Sequence, residues 1–335
     1  MSHLKTVLEA YVAQGKLPDE LAQNLYRFYE SYVAAIQKNG YTEAYADEMV
    51  SQLAHEAARQ IEAPFHFQPY HQRILEPFDY YHYGIKLFKP LIDMKLSKVR
   101  GLAQVDQIDR YLKAGDNVIL FANHQTEPDP QVISILLENS HPQLAGEMVF
   151  IAGHRVTTDP LAVPFSKGRN LLCIYSKKHI EDPPELKANK LLHNQRTLKK
   201  MGELLDQGGI CIYVAPSGGR DRLNAEGKIE VAPFDPQSID LFFLLAQKAS
   251  KTTHFFPLAL STFHLLPPPS SVEKQIGERR HANSIPTYLF FGKEIIAKDI
   301  PQDPSFSKHE NRLKRAQFIW NLVYQDYLQL PSSFC

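Results

Sequence analysis

A histidine is followed five residues later by an aspartate in the run Asn123-His124-Gln125-Thr126-Glu127-Pro128-Asp129-Pro130. A neutral imidazole takes a proton from a hydroxyl when a carboxylate holds its other nitrogen as the N–H donor. The same carboxylate stabilises the imidazolium as it forms. The four residues between His124 and Asp129 are enough for a turn that folds the carboxylate back onto the ring. A second reading competes. Asp followed by Pro is also the pair expected at a helix start, with Asp129 as N-cap and Pro130 as the first helical residue. His124 alone also fits an ordinary loop histidine satisfied by hydrogen bonds, so spacing leaves both readings open.

Two further stretches carry positive charge, Ser176-Lys177-Lys178-His179 and Ala215-Pro216-Ser217-Gly218-Gly219-Arg220-Asp221-Arg222. In extended chain, residues two apart point the same way, so Arg220 and Arg222 share one side and Asp221 turns off. The glycine pair lets backbone N–H groups approach an anion closely. Two guanidinium forks together with a Lys and a His suit a phosphate. The competing reading is a solvated, charged loop. Other chemistry finds little support: the 14 histidines include no His-Glu-x-x-His and no zinc-ligand spacing. No Gly-x-Gly-x-x-Gly follows a strand, and no Gly-x-Ser-x-Gly elbow makes Ser217 a nucleophile. Lys187, Lys190, Arg196, Lys199 and Lys200 decorate one helix. They read as a solvated face, with docking of an acidic carrier protein as the sharper alternative.

These residues need elements to hold them. Short β-rich runs at 117–122, 148–152, 171–175, 209–214, 254–259 and 287–291 alternate with helical stretches at 130–138, 185–206 and 236–249. Near-continuous apolar strands alternating with helices predict an α/β fold with a largely parallel central sheet flanked by helices. Ligands in such sheets bind beyond the carboxyl ends of the strands. The His124 loop and both basic loops follow strands and so should open on one edge. The first ~80 residues read differently: Leu21, Leu25, Phe28, Tyr32 and Ile36 follow helical spacing, and Thr42-Glu43 opens a second helix closed by Pro64. The expected organisation is therefore a small all-helical N-terminal domain, 1–80, ahead of a catalytic α/β domain, 81–335. A Pro- and aromatic-rich stretch, 64–90, joins them, and a last amphipathic helix spans roughly 308–328.

Composition narrows the partners. Lys plus Arg and Asp plus Glu both total 37, so no long-range field draws in nucleic acid or an anionic membrane. Any anion site must be built locally. Three cysteines, Cys173, Cys211 and Cys335, form no close pair and fit a reducing compartment. No run approaches the roughly 18 apolar residues of a membrane span. The expectation is a soluble or at most peripheral protein. Helical patterning already at Met1 leaves no room for a transit peptide, which suggests a bacterial cytoplasm or a mature form.

The segments FANHQTEPDP, AGHRVTTDPLAVPFSKGRNLLCIYSKKHI, VAPSGGRDR, APFDPQSID and LPPPSSVEKQIGERR together resemble the soluble, plastid-type glycerol-3-phosphate acyltransferase family. The resemblance runs from about residue 117 to 280. It implies transfer of a fatty acyl group from an acyl thioester, on acyl carrier protein or CoA, to the sn-1 hydroxyl of glycerol 3-phosphate. It implies His124 as general base oriented by Asp129, and a phosphate pocket of Lys178, His179, Arg220 and Arg222. Arg155, inside the second matching segment, is a further candidate for binding substrate. No cofactor beyond the thioester is implied, and the location is cytoplasmic, or plastid stroma for a mature plant-type form. Membrane-bound acyltransferases carry a Glu where this chain has Ser217, so their substrate contacts do not transfer there. Two alternatives stay open: a non-catalytic module that binds a phospho-ligand, and an acyltransferase acting on a lysophospholipid.

Overall fold

The computed structural model describes residues 2–176, 180–269 and 278–331. Three helices come first: α1 (His3–Ala13), α2 (Asp19–Gln37) and α3 (Glu43–Glu62). Asp19 and Glu20 favour the start of α2 by sitting at the positive end of its dipole. Thr42 caps α3, accepting the Tyr45 N–H. Their apolar faces do not close on themselves. Leu25, Tyr32, Ile36, Val50 and Leu53 join a buried cluster with Leu87, Leu91, Val132, Ile135 and Leu265. The Tyr32 hydroxyl donates to the Leu87 carbonyl at 2.7 Å, and the Asn39 amide donates to the Pro90 carbonyl at 2.8 Å.

The rest of the chain builds β1 (Tyr70–His71), α4 (Tyr80–Phe88), β2 (Lys98–Arg100), α5 (Leu102–Lys113), β3 (Asn117–Ala122), α6 (Asp129–Leu137), α7 (Pro142–Glu147) and β4 (Val149–Gly153). It continues through α8 (Val163–Lys167), β5 (Asn170–Ile174), α9 (Lys187–Gln207), β6 (Cys211–Val214), β7 (Arg222–Leu223) and β8 (Ile229–Glu230). Helix α10 (Pro236–Lys248), β9 (Thr253–Ser261), β10 (Tyr288–Phe291) and α11 (Lys308–Leu328) complete it. Strands run in the order β1-β5-β4-β6-β3-β9-β10-β2, with β7 and β8 forming a separate pair. From β5 to β9 every pairing is parallel; β1 on β5 and β10 on β9 are antiparallel.

Why β3 is central follows from its sequence. Every residue of Asn117–Ala122 is buried. Successive side chains point to opposite faces. Val118, Leu120 and Ala122 pack with Val105 and Ile108 of α5 and Ile133 and Leu137 of α6. Ile119 and Phe121 pack with Met201 of α9, Phe242 and Phe243 of α10 and Ile319 of α11. A strand covered on both faces is apolar along its length, as this one is from Val118 to Ala122, and the buried Asn117 at its start is satisfied by donating to the Leu205 carbonyl at 2.7 Å. Cys173 and Cys211 are free and lie in the same interior; burial pushes the Cys173 thiol up to about 12, so both serve as small hydrophobes. Cys335 lies outside the described residues.

The strand at 117–122 and the last helix stand where patterning placed them, and the other expected strands are shifted by one or two residues. The stretch 64–90 differs. It holds β1 and α4, because Asp79 caps a turn at the His82 N–H (2.9 Å) and Tyr80, Tyr81, Tyr83 and Phe88 bury one helical face. Among the described residues no helix is long and apolar enough to cross a membrane.

Helix α4 approaches the end of α8 through Gly168. A Cβ there would lie 2.5 Å from both the carbonyl carbon and the oxygen of Tyr80. Its φ of −82° suits any residue, so the requirement is space alone. Gly168→Ala should therefore lower unfolding free energy by about 1–3 kcal/mol in urea titrations, the usual cost of overpacking.

Candidate active site

Strand β3 ends at Ala122 and α6 begins at Asp129, so the intervening loop sits at the carboxyl edge of the sheet. Asp129 is fully buried, and its Oδ2 accepts His124 Nδ1 at 2.8 Å. The same oxygen accepts the backbone N–H groups of Gln125 (2.8 Å) and Thr126 (3.2 Å). Its Oδ1 accepts the Thr262 hydroxyl at 2.6 Å. The carboxylate thus turns back into its own loop. Helix α6 has Pro128 at its N-cap position and no side-chain cap, so Asp129 does not serve the capping role its sequence position also allowed. With Nδ1 engaged, the His124 side chain is 29% exposed, and among the described residues Nε2 makes no hydrogen bond.

More contacts hold the loop to the end of β9. Gln125 Oε1 accepts the N–H groups of Thr262 (2.7 Å) and Phe263 (3.0 Å). The Thr126 hydroxyl donates to the Leu266 carbonyl at 2.7 Å. Asn123 donates to the Leu260 carbonyl and accepts its N–H, at 3.0 and 2.8 Å. On the other side stands Asp221, buried, whose backbone N–H donates to the His124 carbonyl at 2.6 Å. Burial pushes its carboxyl up to about 6, against the opposing pull of the amides that donate to it.

The arginines gather beside this loop. Arg220 Nη2 donates to both oxygens of the buried Glu278, at 2.7 and 2.8 Å, and Arg155 Nη2 lies 3.3 Å from the same carboxylate. Arg222 donates to the Pro269 carbonyl at 2.8 Å. Burial lowers the Arg222 guanidinium, and the neighbouring charges of Arg220 and Arg155 lower it further, as expected for three cations in one region. Lys178 and His179 lie outside the described residues. Lys187, Arg196, Lys199 and Lys200 stand on α9 as expected, whereas Lys190 is buried with its ammonium 5.5 Å from the ring centre of Tyr175.

Sequence reasoning did not single out the anionic partners of this cluster. Arg280 donates to both oxygens of Glu127, at 2.7 and 2.9 Å, and to Asp159 at 3.3 Å. Burial alone would raise the Glu127 carboxyl, but Arg280, with Arg220 and Arg155 beyond it, holds it below the usual carboxylate range. The only hint in sequence is that Glu127 falls within the His124 motif and Glu278 and Arg280 within the last matching segment. Beneath His124 lies an apolar cavity of ≈ 120 Å³, walled by Phe88, Phe150, Val156, Phe165 and Tyr213.

A buried Asp holding one imidazole nitrogen, an open second nitrogen, clustered arginines and an apolar cavity fit acyl transfer to a phosphorylated alcohol. Residues 99–261 match the Acyltransferase family model. The chain is 38% identical to the chloroplastic glycerol-3-phosphate acyltransferase of Arabidopsis thaliana, an alignment covering 99% of this chain and 76% of that protein. It is 44% identical to the chloroplastic glycerol-3-phosphate acyltransferase ATS11 of Cucurbita moschata over 84% of this chain and 62% of that protein. Against the Spinacia oleracea protein of the same description, identity is 43% over 95% of this chain and 68% of the relative. The chain belongs to the glycerol-3-phosphate acyltransferase family.

In this acyltransferase the Glu127–Arg280–Asp159 contacts fasten residues 278–280 against the His124 loop. Removing one partner of a buried pair strands the other. Arg280→Ala should cost about 3–5 kcal/mol in denaturant unfolding. A loss under about 1 kcal/mol, the level of an exposed pair, would show that the contact is solvated in solution.

Proposed function

We propose that this acyltransferase moves a fatty acyl group from an acyl thioester, carried on acyl carrier protein or CoA, to the sn-1 hydroxyl of glycerol 3-phosphate, giving lysophosphatidic acid. The observation that carries the reading is the His124–Asp129 contact at 2.8 Å, with Asp129 buried and the arginines alongside. Asp129 fixes His124 with its proton on Nδ1, so Nε2 is the basic nitrogen facing outward. The phosphate binds among Arg220, Arg222 and Arg155, with Lys178 and His179 as further contacts, and this aims the sn-1 hydroxyl at Nε2. A phosphomonoester of this kind carries about −1.5 to −2 charges near neutral pH.

Nε2 takes the hydroxyl proton as the oxygen attacks the thioester carbonyl. The carbon–sulfur bond then breaks, and the imidazolium returns the proton to the departing thiolate. Alcohol attacks directly, so no acyl-enzyme and no cofactor beyond the thioester enter the scheme. The acyl chain takes the apolar cavity beneath His124. At ≈ 120 Å³ it is smaller than the roughly 300–1,000 Å³ of most ligand pockets, so its aromatic walls must part to admit a chain. The chloroplastic descriptions of the relatives support a plastid setting, within which the stroma is the proposed location.

Two substitutions test the two halves of the site. His124→Ala should lower kcat by about 10²–10⁴-fold while calorimetry still detects glycerol 3-phosphate binding; undiminished turnover removes His124 as the base. Arg220→Ala should raise the glycerol 3-phosphate KM roughly 10–100-fold, the worth of hydrogen bonds to a charged group. A change confined to saturation by the thioester would place the phosphate elsewhere.

A further inference from the structure

We propose that Asp221 is a second carboxylate behind His124, a positioning residue that holds the base-bearing loop and stabilises the imidazolium formed during transfer. The inference deepens the acyl-transfer reading and rests on it. By sequence Asp221 belongs to the anion loop, between Arg220 and Arg222. By contact it belongs to the base. Its backbone N–H donates to the His124 carbonyl at 2.6 Å. Its Oδ2 accepts the side-chain amides of Asn123 (3.0 Å) and Gln125 (3.2 Å), the residues on either side of His124. Its Oδ1 accepts the Ala232 N–H at 3.0 Å. One fully buried residue therefore ties down three consecutive residues of the loop.

A loop tie alone needs no charge. A buried carboxylate is costly unless a cation or several donors offset it. Among the described residues neither flanking arginine donates to this carboxylate: Arg220 donates to Glu278 and Arg222 to the Pro269 carbonyl. His124 from the loop before α6, Tyr213 from β6 and Tyr327 from α11 are ionisable groups close enough to Asp221 to interact with its charge. Tyr213 also neighbours Asp129. Of these only His124 can become a cation, and it does so when it takes the hydroxyl proton. Asp221 is thus a buried negative charge whose best partner appears in the transition state, and such an interaction lowers the barrier rather than tightening ground-state binding.

The experiment uses the full chain, with Asp221→Asn and Asp221→Glu assayed for acyl transfer to glycerol 3-phosphate as a function of pH. Loss of the charge destabilises the imidazolium, so its pKa falls. The acid limb of the pH–kcat profile should move to lower pH by about one unit, with kcat down about tenfold. The glycerol 3-phosphate KM should stay within a factor of about three, because an interaction made only in the transition state shows in kcat. Asp221→Glu should keep the acid limb of the unaltered protein. An unmoved acid limb in Asp221→Asn, or a rise in KM with kcat intact, would show that Asp221 only braces the anion loop. If Asp221→Asn does not yield folded protein by circular dichroism, Asn123→Ala cuts the same tie from the other side. It should lower kcat without raising KM, and a normal kcat overturns the assignment. Absence of any transfer to glycerol 3-phosphate by the unaltered chain would instead defeat the acyl-transfer reading itself.

Discussion

The buried carboxylate of Asp129 is the constraint around which this end of the molecule is arranged. A carboxylate with no exposure must have its lone pairs filled. Here the donors come from three places: the His124 ring, two backbone N–H groups of the same loop, and the Thr262 hydroxyl just past β9. Because β9 is the parallel neighbour of β3, both ends emerge on one edge and the loop can be closed across them. The sheet order is therefore part of the site: a strand other than β9 beside β3 would leave Oδ1 without its hydroxyl.

The same economy of neighbours explains the charge pattern. Four arginines, Arg155, Arg220, Arg222 and Arg280, converge on this edge from three stretches of the sequence. Glu127, Asp159 and Glu278 come with them. A chain with no net charge cannot draw an anion from afar, so a short-range pocket of this kind is the way to bind one. Tying these charges to one another also decides where the segment at 278–280 sits, across the His124 loop and the Arg220–Arg222 loop together.

What patterning made legible was whatever depends on local sequence. From Val118 to Ala122 the strand is an unbroken apolar run, and only a strand buried on both faces accepts one; the 308–328 helix carries its capping box at Ser307 and Glu310. His124 and Asp129 were legible as a pair because five residues separate them, yet their sequence could not choose between a cap and an orienting carboxylate. The fold decides it: Asp129 Oδ2 turns back onto His124 and its own loop, and Oδ1 accepts the hydroxyl of Thr262, 133 residues away. Glu278 and Arg280 were opaque for the same reason, since their partners Arg220 and Glu127 are joined only by the fold. Helix α4 was obscured by its setting, a helix of aromatics embedded in a proline-rich stretch, where burial and not propensity decides.

The two halves of the site are prepared in opposite ways. The His124 loop is held by internal contacts: Asp129 accepts His124 Nδ1, and Asp221 ties Asn123 and Gln125. Arg220 and Arg155 are instead already paired, with Glu278 accepting two hydrogen bonds from Arg220 Nη2 and lying 3.3 Å from Arg155. In the proposed reaction the acceptor's phosphate must compete with an internal carboxylate of lower charge and fewer oxygens. Adventitious monoanions compete with the same carboxylate and gain little, since they offer no more than it does. A phosphomonoester brings about −1.5 to −2 charges and three strong acceptor oxygens, enough to engage Arg222 and Arg155 as well. Selectivity for the doubly charged acceptor then comes from what already fills the pocket, while the rigid base waits at fixed geometry for the hydroxyl that this exchange delivers.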